Sequence, residues 1–67
     1  MSTTVTATFK SDDQVKNVKD DLLSTGIPNE KIFVDEPARK IRVIMPKETQ
    51  PAIVDIFERH GLTEVAR

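Results

Sequence analysis

Among 67 residues there is one histidine, His60, and no cysteine. That inventory sets the limit on chemistry before any fold is considered. Catalysis needs a nucleophile with its base, a converging pair of carboxylates, or a metal held by several ligands. Without cysteine there is no thiol nucleophile, no disulfide and no thiolate–metal site. A lone imidazole with scattered carboxylates makes a poor ligand set. The adjacent pairs Asp12-Asp13 and Asp20-Asp21 diverge on a helix, because facing positions there are three or four apart. They are expected to be solvated, with the first pair favouring a helix N-terminus. His60 falls at the end of an apolar helical stretch, where an imidazole complements the dipole and can bond the last carbonyls. Both glycines, Gly26 and Gly61, follow amphipathic segments as closing residues, which leaves none to build a phosphate-binding loop. The sequence thus predicts a chain that is not an enzyme, with no catalytic residue, no cofactor and no metal site.

Binding is the chemistry that remains, and three residues carry it. Phe33, Arg42 and Ile44 lie on strand-like runs at positions whose alternation sends them away from the apolar neighbours Ile32, Val34, Ile41, Val43 and Met45. Two large apolar groups flanking a guanidinium, on a face otherwise made of Thr4, Thr6, Thr8, Lys10 and Lys40, describe an interaction patch. Lys40 and Arg42 are suited to pair with Asp35 and Glu36 of a second copy.

The elements that position these residues follow from period and caps. Thr4 to Lys10 alternates Val5, Ala7 and Phe9 with polar partners, which predicts a first strand. Ser11 with Gln14 three residues on forms a capping box, and Val15, Val18 and Leu22 recur at helical spacing until Gly26 and Pro28 end the helix. Lys31 to Asp35 is a second strand, Glu36-Pro37-Ala38-Arg39 a turn, and Lys40 to Met45 a third strand. So short a connection implies an antiparallel hairpin. Thr49 is the expected N-cap of a second helix with Pro51 in its first turn, and Ile53, Ile56, Phe57 and His60 form its inner face. Gly61 closes it, and Thr63 to Arg67 is a last strand with Val65 inward. Thr25-Gly26-Ile27 and His60-Gly61-Leu62 are thus equivalent closures, separated by 61 − 26 = 35 residues.

The order strand, helix, strand, strand, helix, strand predicts an α+β domain over residues 1–67. Its expected form is the ferredoxin-like split βαβ (βαββαβ), with a four-stranded antiparallel sheet in the order 4-1-3-2 and both helices on one face. This topology is similar to that of heavy-metal-associated domains, amino-acid-binding regulatory domains and PII-like signalling proteins. The metal loop of the first group requires two cysteines where this chain has Lys10-Ser11-Asp12-Asp13. The stretch from Phe9 through Ile27 also resembles small bacterial stress-protein domains, in its strand, capped helix and Gly-Ile ending. The resemblances imply an interaction or ligand-sensing role and assign no residue a part in it.

Ten basic and eleven acidic residues give a net charge of −1, against the basic excess that phosphate neutralisation requires. No apolar run approaches the length of a membrane span. The N-terminus has neither a basic nor an apolar signal region, so the expected location is cytoplasmic. The functional expectation is a small non-catalytic interaction or regulatory module, homodimeric through its open sheet face or an edge strand. The alternative is a small-ligand sensor using the loop Lys10–Asp13 or the turn Gly26–Asn29. Single-stranded nucleic-acid binding ranks below both, since Phe33 is the sole aromatic on the face and sits on an edge strand.

Overall fold

The computed structural model describes residues 1–66, and Arg67, expected at the end of the last strand, lies outside them. The elements are β1 (Ser2–Thr8), α1 (Asp12–Thr25), β2 (Ile32–Asp35), β3 (Lys40–Pro46), α2 (Gln50–Arg59) and β4 (Thr63–Ala66). Single 3₁₀ turns, Asn29–Lys31 and Lys47–Thr49, lead into β2 and α2. The strands form one antiparallel sheet in the order β2-β3-β1-β4. This is the expected order, read from the opposite edge.

Period-two alternation explains which side of the sheet is covered. Val5 and Ala7 of β1, and Ile41, Val43 and Met45 of β3, are buried together with Val15, Val18 and Leu22 of α1 and Ile53, Val54, Ile56 and Phe57 of α2. Among the described residues every buried side chain is apolar. Phe9 joins this core although it lies outside β1. The strand begins two residues earlier than its pattern suggests because β3 runs on to Pro46, which pairs with Ser2. It ends at Thr8 because the partner of Phe9 is Arg39, whose φ of 55° bends the chain out of the ladder. Lys31, expected in the second strand, belongs to the preceding 3₁₀ turn.

The two helix closures are the same device. At the end of α1, Gly26 N–H donates to Leu23 C=O and Ile27 N–H to Leu22 C=O, each at 3.1 Å. At the end of α2, Gly61 N–H donates to Glu58 C=O at 3.1 Å and Leu62 N–H to Phe57 C=O at 3.0 Å. Both glycines adopt positive φ, 107° and 77°. These are Schellman closures, each folding an apolar residue, Ile27 or Leu62, back into the core.

The helix starts differ from expectation. Ser11 caps α1, its Oγ accepting from Gln14 N–H at 3.2 Å, but Gln14 Oε1 accepts from Lys10 N–H instead of closing the box on Ser11. Thr49 caps nothing. It is already helical, with φ −86° and ψ −14°, and its side chain makes no capping bond. The helical turn begins earlier, after extended Pro46.

A Cβ at Gly26 would meet no atom within 4 Å, so the cost of Gly26→Ala is that of the backbone alone, about 1–2 kcal/mol for a left-handed L-residue. Thermal unfolding should then fall by about 4–8 °C per kcal/mol. An unchanged midpoint would contradict the closure.

Candidate functional site

β3 is the strand that organises the uncovered side of the sheet. Its register against β1 and β2 sets out cross-strand rows: Phe33, Arg42 and Thr6 in one, Asp35, Lys40 and Thr8 in the next. Ile44 lies two residues beyond Arg42, opposite Thr4. All three sequence-predicted residues therefore share one face. Phe33 is 48% exposed, Arg42 is exposed and Ile44 is half-buried. Phe33 and Arg42 are direct neighbours and, with Thr6, Val34, Asp35 and Lys40, surround a shallow depression of about 260 Å³. Ile44 turns to a different feature.

That feature is a cleft of about 560 Å³ at the opposite end of the sheet from the hairpin turn. Ile27, Pro28, Ile44, Met45 and Pro46 supply its apolar wall, and Lys31 is the charged group at its rim. It includes part of the Gly26–Asn29 turn expected to hold a ligand. The other expected ligand loop, Lys10–Asp13, borders a smaller, polar depression with Glu36 and Arg39. Arg39 is committed there to structure, its guanidinium donating to Lys10 C=O at 2.7 Å.

His60 has a partner that its sequence position did not suggest. Its Nε2 lies 2.9 Å from Asp21 Oδ2 on α1, and its backbone carbonyl accepts from Gln14 Nε2 at 2.6 Å. The imidazole does not turn to the carbonyls of its own helix. Gln14 and Asp21 stand two turns apart on one flank of α1, and together they fasten the end of α2. Asp21 is thus drawn into a half-exposed pair, with side-chain exposures of 26% for His60 and 40% for Asp21. No sequence signal could link positions separated by 60 − 14 = 46 residues.

Among the described residues no three acidic, histidine or cysteine side chains gather as a metal site. No helix there is long and apolar enough to cross a membrane. Every buried side-chain nitrogen or oxygen there has a hydrogen-bond partner. No protein-family model, curated protein or solved structure matches the chain.

Gln14 ties α1 to α2 through a half-buried backbone carbonyl, and the imidazole–carboxylate pair beside it is half-buried as well. Gln14→Ala should cost about 1–3 kcal/mol by leaving the half-buried carbonyl of His60 without its partner. Asp21→Asn should cost under about 1 kcal/mol, because asparagine keeps an acceptor oxygen for the imidazole and loses only the charge of a pair partly open to water. Urea unfolding of the two variants checks the ranking, and a larger loss for Asp21→Asn would reverse it.

Proposed function

We propose that this chain is a small non-catalytic interaction or regulatory module of the ferredoxin-like class, cytoplasmic, which associates with a second copy of itself through the open face of its sheet or an edge strand. The observation that carries the reading is the pairing of exposed Phe33 with Arg42 on a face that no element of the chain covers. A ring beside a guanidinium is the kind of anchor that dominates interfaces. The same face holds both signs of charge, Asp35 at one edge, Glu64 where it accepts from Thr8 Oγ1, and Lys40 and Arg42 on β3, which suits contact with its own copy. Size argues the same way. A chain this short buries only ~60% of its unfolded surface, so burial against a second copy adds stability that one core supplies sparingly.

Light scattering across a concentration series should give a mass approaching twice 7.5 kDa. Arg42→Glu should weaken association about tenfold or more, a change of ~1.4 kcal/mol. A wild-type mass that stays at one chain up to near-millimolar concentration defeats the reading.

The cleft lined by Ile27, Ile44 and Met45 supports a second reading, ligand sensing. Its volume of about 560 Å³ is in the range of small-molecule sites. The apolar wall with Lys31 at the rim favours a small apolar carboxylate. Octanoate or phenylacetate at a hundred times its dissociation constant should add about 2.7 kcal/mol of stability. A flat thermal-shift response across such acids removes this reading and leaves the first untouched.

A further inference from the structure

The hydrogen-bond phase of the sheet shows which backbone groups are left at its edge. Phe9 N–H donates to Arg39 C=O at 2.9 Å and Lys47 N–H to Met1 C=O at 3.1 Å, at the two ends of the β1–β3 ladder. In an antiparallel pair the bonding residues alternate. Odd-numbered residues of β3 therefore face β1, and Lys40 and Arg42 turn their backbone groups to β2. Their partners there are Asp35 and Phe33. It follows that Val34 N–H and C=O, and Ile32 C=O, point outward from the sheet. Ile32 N–H is already used, donating to Asn29 C=O.

That outward row is self-complementary. With Val34 on a twofold axis, Val34 of each copy exchanges two bonds with Val34 of the other. Ile32 C=O then meets the next outward donor, Glu36 N–H, on both sides of the axis. Four bonds close a joint that uses the same patch on both copies.

Side chains fit the same joint. Val34 points to the helix side yet is 37% exposed, because nothing covers the edge. Leu23, 41% exposed, lies two and a half turns beyond Gln14 and so on the opposite flank of α1 from the one fastened to α2. α2 packs over β1 and β4, which leaves that flank on the β2 side. Leu23 and Val34 thus form an apolar margin beside the open backbone row. On the other face the row across the joint reads Arg42, Phe33, then Asp35 and Lys40 of the second copy, bringing opposite charges together around the ring.

The far edge does not compete. β4 carries Glu64 at φ 53°, and its register against β1 slips between Thr6 and Thr8. Such bulges turn an edge away from further pairing. One open edge per copy means that association stops at two.

We infer that the self-association proposed above is an antiparallel β2–β2 joint with Val34 on the twofold axis, making a continuous eight-stranded sheet across two copies. This rests on the self-association reading and gives it a geometry that can fail separately. Val34→Pro removes the outward donor without touching the bonds to β3, so it should keep the wild-type circular dichroism and raise the dimer dissociation constant at least tenfold. Ile44→Lys, away from the joint, should leave dimerisation unchanged. If Val34→Pro is folded and still dimeric, the joint is overturned while self-association stands. A monomeric wild type overturns both. Amide exchange of the wild-type protein needs no variant: Val34 and Glu36 should slow at least tenfold as concentration rises through the dimer range, while Phe33 is protected throughout. Val34 exchange that is fast and independent of concentration overturns the joint, whatever the variants do.

Discussion

This chain has apolar side chains enough for one face of its sheet and no more. The constraint is arithmetic as much as chemical. Two helices, Asp12–Thr25 and Gln50–Arg59, supply a single layer, and the strands answer it with one inward row each. The row of β1 that faces away is Thr4, Thr6 and Thr8, which hydration satisfies as well as burial would. A sheet built this way must leave a face and two edges to something else. The chain deals with one edge itself by kinking β4 at Glu64. The other is left with its backbone groups, and an exposed valine, facing out.

Keeping the helical layer in place depends on the closures. Each Schellman turn ends a helix and returns an apolar residue to the core within the same few atoms, so the chain needs little length to change direction. The second closure is also the attachment point between helices, since Gln14 reaches the carbonyl of His60 one residue before Gly61. A Cβ at Gly61 would approach Gln14 Nε2 at 3.4 Å. The glycine therefore serves the turn first and, marginally, the approach of Gln14. His60, the one residue that invites a chemical role, is held by these contacts as part of the frame.

Much of this was legible in the sequence, for a physical reason. Strand alternation and glycine-closed helices are local signals, and in a short chain with short connections they leave few ways to order four strands. The sheet order and the uncovered row of Thr4, Thr6, Thr8, Arg42 and Phe33 follow from them. What the sequence concealed was non-local. The start of β1 at Ser2 depends on how far β3 extends, which no residue near Ser2 records. Thr49 has the chemistry of a cap, but Pro46 starts the helical turn before it. The grip of Gln14 on His60, and the exposure of Val34, depend on what lies alongside in space. Val34 has the alternation of a core residue and differs from Val43 only in having no strand beyond it.

The joint requires β2 to be the open side of the molecule. Isotope-filtered Overhauser measurements on an equal mixture of labelled and unlabelled protein read contacts between copies without any substitution. The expected spectrum carries inter-copy cross-peaks from the Val34 and Leu23 methyl groups. Cross-peaks confined to Thr4, Thr6 and Ile44 would put the contact on the broad face of the sheet and contradict the joint.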